Sequence, residues 1–146
     1  MIAGYHQIIH DLVQVLCEGQ EGFVNAAVGI NDPDLKNRIL EFAVERRKLA
    51  DELSTHGSTN FEWPNPLLKP NSRWLDLKKA MTLGSERAIL IECEREEYQV
   101  FFKFKEAMGK QLPPEVLTTL QRIAVRVKAV HDQIRALREE CASSLH

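Results

Sequence analysis

The feature of this sequence that most constrains its fold is the spacing of apolar residues at alternating intervals of three and four. Such spacing places apolar side chains on one face of an α-helix. It recurs in four long stretches, approximately residues 6–30, 33–56, 86–108 and 113–140. Almost nothing alternates with the two-residue period of a β-strand. The pattern therefore predicts an all-α protein with four amphipathic helices.

Turn signals divide the four stretches into two hairpins. Asp32 can cap the second helix through its carboxylate, and Pro33 stands in the first turn, where a missing N–H is tolerated. Gly57 suits the residue that closes the second helix. Because the first connection is so short, we expect the first two helices to be antiparallel. Pro113 and Pro114 open the fourth helix in the same way.

The connection between the second and third helices is long. Residues 58–71 are rich in Asn, Ser, Thr and Pro, and we expect a short extra helix over residues 72–83. A helix of about 22 residues is roughly 33 Å long, whereas about fourteen extended residues reach up to roughly 45 Å. The connection is therefore long enough to cross the bundle, which would make helices two and three parallel. An up-down-up-down order is the alternative, because the loop could also fold back.

Composition narrows the class of protein. The 146 residues, 44% of them hydrophobic and 27% charged, fit a single domain over residues 1–146. With a net charge of -2 there is no basic surface for nucleic acid. No apolar run approaches the roughly 18 residues of a membrane span. Three cysteines without a CxxC pair indicate reduced thiols and a cytoplasmic protein.

The third helix carries charge where the core is expected. Two of its core-facing positions are glutamates, Glu94 and Glu97. Because positions i and i+3 share a helix face, both carboxylates should point inward. An unpaired buried carboxylate costs several kcal/mol, so the sequence requires compensation for both. The core-facing positions of this helix are Leu90, Glu94, Glu97, Phe101, Phe104 and Met108.

A bound metal is one form of compensation. With helices two and three parallel, one level of the bundle holds carboxylates and a histidine from all four helices, as di-iron and di-manganese sites do. An iron or manganese site is therefore one hypothesis. The pattern departs from the paired Glu-x-x-His motif of such sites, because Lys48 and Lys128 occupy the corresponding positions. The candidate ligands are Glu21, Glu45, Glu94, Glu97 and His131.

An ion-pair network is the second form of compensation and the one we favour. Arg46 falls on the inward stripe of the second helix. Its guanidinium on one carboxylate, with protonated His131 on another, would offset much of the charge of Glu94 and Glu97. Simple exposure of the two glutamates to solvent is the third hypothesis.

Several short segments of the chain carry a resemblance to a known family. Nearly end to end, the chain resembles a bacterial family of ferritin-like four-helix proteins of unknown function. The resemblance implies the ferritin-like bundle with one long crossover, and it implies no particular activity. The segments are Gly19–Phe23, Asp32–Lys36, Trp74–Lys78, Glu92–Glu97, Leu112–Val116 and Val130–Asp132.

Two functional hypotheses follow. We find no nucleophile–base pair, and hydrophobic residues are left over on the crossover. The sequence therefore favours a non-catalytic protein that acts through protein contacts, as a homo-oligomer. The alternative is a metal-binding protein, for which iron oxidation would be the natural activity.

Overall fold

The computed structural model describes residues 4–57, 79–80, 82 and 85–143. Within them the chain forms four long helices and no strand, which confirms the predicted all-α bundle. The crossover segment 58–71 lies outside the described residues. So does most of the short helix expected at 72–83, of which positions 79, 80 and 82 are helical. The helices are α1 (Tyr5–Val28), α2 (Pro33–Ser54), α3 (Glu86–Met108) and α4 (Pro114–Ser143).

Side-chain caps fix the starts of α2 and α3. Asp32 Oδ1 accepts hydrogen bonds from the backbone N–H groups of Asp34 (2.9 Å) and Leu35 (3.4 Å). Ser85 Oγ accepts from the N–H of Ala88 at 3.2 Å. Each cap satisfies donors that the first helical turn leaves without a backbone acceptor. The cap predicted at Asp32 is confirmed.

Contacts at the two ends of the bundle set the helix directions. Glu86, the first residue of α3, accepts through Oε1 from the N–H groups of Asn31 (2.9 Å) and Asp32 (3.1 Å), in the turn between α1 and α2. At the other end, His56 Nε2 lies 2.9 Å from Thr119 Oγ1 in the first turns of α4. Helices α2 and α3 are therefore parallel. Of the two orders that the sequence allowed, the structure has the one whose long connection joins opposite ends of the bundle.

The packing arranges the helices as a square. Helix α1 packs on α2 and α3, and α4 packs on α3 and α2. Consequently α2 and α3 lie diagonally opposite each other. This geometry matters because a side chain on α2 can meet one on α3 only through the middle of the bundle.

Two apolar clusters fill the interior, one in each half of the bundle. The first lies towards the α3–α4 turn and includes Leu16, Leu53, Phe104, Leu120 and Ile123. The second lies towards the α1–α2 turn and includes Phe23, Ile39, Leu90, Val130 and Ile134. Between the two clusters, α2 and α3 contribute buried charged residues. No helix in the described segments is apolar over a stretch that would cross a membrane.

Candidate functional site

A buried ion pair lies across the diagonal of the bundle, between the two apolar clusters. Arg46 of α2 donates from Nη2 to Glu97 Oε2 of α3. The side chains are only 1% and 2% exposed, and no other Arg, Lys, Asp or Glu side chain in the described chain is buried. Removing two charges from water costs several kcal/mol each, so each charge depends on the other.

The surroundings of Arg46 on α1 fit its guanidinium. Arg46 Cζ lies 5.4 Å from the ring centroid of Phe23, within the range of a cation–π contact. Gly19 provides the space, because a Cβ at that position would meet Arg46 Nη1 at 3.1 Å. That Nη1 is buried and has no hydrogen-bond partner among the described residues. Helix α1 therefore accommodates the arginine by shape and by an aromatic face rather than by an acceptor.

Burial raises the pKa of the Glu97 carboxyl above its ordinary value. The charge of Arg46 and the hydrogen bond from Arg46 act in the opposite direction, and so does His131. Glu45 adds a further increase through its negative charge. Glu97, Arg46, Glu45 and His131 thus share one electrostatic neighbourhood in the middle of the bundle.

Glu45 belongs to a polar seam between α2 and α4. Its Oε2 accepts from Arg126 Nη2 at 2.8 Å, and its Oε1 is buried without a hydrogen-bond partner in the described chain. One end of the seam also holds an ion pair between Glu52 and Arg122. Helices α2 and α4 have the least extensive contact of the four neighbouring pairs, and ion pairs join them.

Glu94 lies on the flank between α3 and α4, not in the centre. Arg138 of α4 donates from Nε to its Oε1 at 2.5 Å, and both side chains are partly buried. The partner of Glu94 is therefore Arg138 and not Arg46. Glu94 and Glu97 are three positions apart, about 60° around the helix, so one occupies the centre and the other the edge.

His131 is partly buried on the same flank as Glu94. Its Nδ1 lies 3.1 Å from Asp132 Oδ1, and its ring centroid lies 6.1 Å from that of Tyr98. The neighbouring Lys128 donates to both oxygens of Asp132, and these contacts hold the pKa of the Asp132 carboxyl below its usual value. The hydrogen bond of His131 is therefore to a surface aspartate.

The predicted metal ligands thus take part in separate contacts of the bundle. Each of Glu45, Glu94 and Glu97 accepts a hydrogen bond from a different arginine, and Glu21 is half-buried on α1. Within the described chain, no three His, Cys, Asp or Glu side chains come together in a group that could hold a metal ion.

Two participants in these contacts were not predicted from the sequence. Arg126 and Arg138 of α4 were not paired with Glu45 and Glu94, although they lie on the sides of α4 that meet α2 and α3. A glycine in the middle of a helix does indicate a close approach by another group, and at Gly19 that group is the Arg46 side chain.

We call the three pairs of an arginine with Glu45, Glu94 or Glu97 the charged layer. The fold and this layer define the class of protein: an all-helical four-helix bundle with a diagonal arginine–glutamate pair in its core. The chain belongs to the family defined by a domain of unknown function, DUF2383, whose model matches residues 5–110. The match covers α1, α2, α3 and the connection between α2 and α3. No curated protein matches the chain.

Proposed function

We propose that this protein is a non-catalytic helical bundle that acts through contacts with other protein chains, as a homo-oligomer in a bacterial cytoplasm. The observation that carries the proposal is the pairing of the acids: Glu45, Glu94 and Glu97 each accept from an arginine. A carboxylate held by a guanidinium is a poor general base, because its charge is already stabilised. The charged layer therefore has a structural use.

The thiols give no support to a nucleophilic mechanism. Cys17 and Cys93 are buried, and burial raises the pKa of both thiols. A thiol with a raised pKa forms little of the reactive thiolate at neutral pH. Their surroundings suit packing better than chemistry.

An exposed apolar surface on α3 supports the part of the proposal that concerns protein contacts. Ile91, Tyr98 and Phe102 are 37%, 51% and 57% exposed, and we call these three residues the α3 apolar stripe. Single exposed apolar residues are common, but a row of large ones on one helix is typical of a surface that another protein covers.

The molar mass of the full-length protein in solution tests this proposal. We expect size-exclusion chromatography with light scattering, over roughly 1 µM to roughly 1 mM, to show a mass above that of one chain that rises with concentration. A single-chain mass over the whole range, with no protein partner retained on purification, would contradict it.

A metal-binding function is the second candidate, and one observation favours it. Glu45 Oε1 is buried without a hydrogen-bond partner in the described part of the chain, in the same electrostatic neighbourhood as Glu97 and His131. An iron or manganese ion would satisfy such an oxygen. The parallel α2 and α3 also support the ferritin-like relationship that the sequence segments indicate.

Elemental analysis of untagged protein distinguishes this second candidate. Metal binding after incubation with iron(II) or manganese(II), lost in Glu45→Gln, supports it. Glu41→Gln is a suitable control, since Glu41 is exposed one turn earlier on α2. A metal content near zero in the unchanged protein after incubation would remove this candidate.

A further inference from the structure

The outer face of α3 carries two kinds of residue on its two edges. The edge next to α4 bears the α3 apolar stripe, because Ile91 and Tyr98 line a groove with His131 of α4. The edge next to α1 bears Lys103, which lines a groove with residues of α1. Glu92 lies eleven positions before Lys103, about three full turns, and is therefore on the same edge.

The same spacing of eleven positions relates Ile91 to Phe102 on the apolar edge. The Ile91–Phe102 pair has its midpoint just before Glu97, and the Glu92–Lys103 pair has its midpoint just after it. Each edge is thus arranged symmetrically about the level of Glu97. This symmetry is what a helix needs to pair with an antiparallel copy of itself.

We infer that two copies of this chain associate through α3, antiparallel, about a two-fold axis level with Glu97. The inference rests on the proposed homo-oligomer and names its interface. In this arrangement the same edge of each helix meets the same edge of its partner. Ile91 faces the partner's Phe102, and Glu92 faces the partner's Lys103. By symmetry each contact occurs twice.

The centre of the face also fits this register. Arg95 lies two positions before Glu97 and Tyr98 one position after it, so close to the axis the guanidinium of one copy meets the phenol ring of the other. Within its own chain the same guanidinium donates to Glu92 Oε2 at 2.5 Å. An arginine over a tyrosine ring is a favourable contact. The ring of Tyr98 also packs on that of Phe102 in the same chain, with ring centroids 6.1 Å apart. Arginine and aromatic residues are also the residue types enriched in protein interfaces.

The choice of a second copy as the occupant follows from this complementarity. An unrelated partner would need an apolar edge and a charged edge in the same order, whereas a second α3 supplies both. The arrangement places opposite charges on one side and apolar groups on the other. Three large apolar residues per copy form a modest interface, so we expect a dimer that dissociates on dilution.

The first test compares two substitutions of equally exposed apolar residues. Phe102→Arg places a charge opposite Ile91, and it should raise the dimer dissociation constant at least roughly a hundredfold. Val44→Arg is the matched control, because Val44 is 56% exposed on the outer face of α2, against 57% for Phe102. It should leave the dissociation constant within about threefold. Circular dichroism checks that both variants stay folded.

The second test exchanges charges across the proposed axis. Glu92→Lys and Lys103→Glu each turn two attractive contacts into repulsive ones, and each should weaken the dimer by roughly tenfold. The double variant Glu92→Lys, Lys103→Glu restores both contacts between the copies and should recover most of the affinity, while the pair between Glu92 and Arg95 within each copy stays broken. Such recovery requires the two residues to meet, which a general loss of helix stability would not produce.

The outcomes separate the interface from the proposed function. An oligomer that survives Phe102→Arg, or shows no recovery in the double charge exchange, overturns the α3 interface and leaves the homo-oligomer standing. It would also mean that another protein or another part of the chain covers the α3 apolar stripe. A single-chain mass for the unchanged protein overturns both.

Discussion

Replacing Arg46 by methionine tests whether the buried pair is the counter-ion arrangement that the structure indicates. Arg46→Met keeps most of the side-chain volume but leaves Glu97, only 2% exposed, without its cation. Removing one partner of a buried ion pair costs about 3–5 kcal/mol. The total stability of a domain of this kind is about 5–15 kcal/mol. We therefore expect a midpoint of thermal unfolding lower by on the order of 10 °C.

Replacing both partners should be far less damaging. The double variant Arg46→Met, Glu97→Leu exchanges the charges for apolar groups of similar volume. These groups lie between the two apolar clusters and would connect them into one core. Such exchanges are often neutral or stabilising. The double variant should lie within about 1 kcal/mol of the unchanged protein. Because removal of either partner alone costs about 3–5 kcal/mol, the coupling energy between the two positions should be roughly 5 kcal/mol or more.

The pH dependence of Arg46→Met provides an independent check of the same reasoning. Burial already raises the pKa of the Glu97 carboxyl above 4.5, its value in the absence of the fold, and Arg46 opposes that shift. Without Arg46 the folded pKa rises further, so the native state binds the proton more tightly than the unfolded chain does. The resulting stability is present below the unfolded pKa and is lost as pH rises through the folded pKa.

The stability deficit of Arg46→Met relative to the double variant should therefore be larger at about pH 8 than at about pH 5. Urea unfolding followed by circular dichroism at both pH values measures it. Two results would refute the reasoning. One is a double variant whose loss equals the sum of the single losses. The other is a deficit of Arg46→Met that is the same at both pH values.

Two further predictions concern single residues. Gly22→Ala, where an added Cβ meets nothing within 4 Å, should stabilise α1 by about 1 kcal/mol. Gly19→Ala should gain less than Gly22→Ala or destabilise, because its Cβ presses on the Arg46 guanidinium, and chemical unfolding of the two variants compares them. In the native protein, Cys141 should react with a thiol reagent more than about tenfold faster than Cys93, because burial raises the pKa of both thiols but Cys93 is buried whereas Cys141 is only half-buried. Equal rates before unfolding would contradict that prediction.

The helices were predictable because their signals are local. Proline, a capping side chain and apolar periodicity act within a few residues, and the predicted bounds of α3 match those observed. The order of the helices was not predictable, since the long connection could either cross the bundle or fold back. The order is visible only in contacts between residues far apart in the sequence, such as the hydrogen bonds that Glu86 accepts from the N–H groups of Asn31 and Asp32.

The charged layer was predictable in part. Periodicity along α3 indicated that Glu94 and Glu97 needed compensation, and Arg46 was among the candidates to provide it. Periodicity gives the side of a helix but not the angle at which its neighbours pack, so it could not separate a central residue from one at the edge. Which arginine reaches which carboxylate depends on that packing, and the pairing of Glu94 with Arg138 followed only from the structure.

The position of the buried pair gives a reason for keeping it in a core that apolar residues could fill. Arg46 and Glu97 join α2 to α3, which belong to different hairpins and lie diagonally opposite. Apolar clusters alone would tolerate one hairpin sliding past the other by a turn, since apolar contacts have little directionality. The same slide would separate two buried charges, each at a cost of several kcal/mol. We therefore expect the pair to fix the register of the two hairpins, as a single buried polar residue fixes the register of a coiled coil.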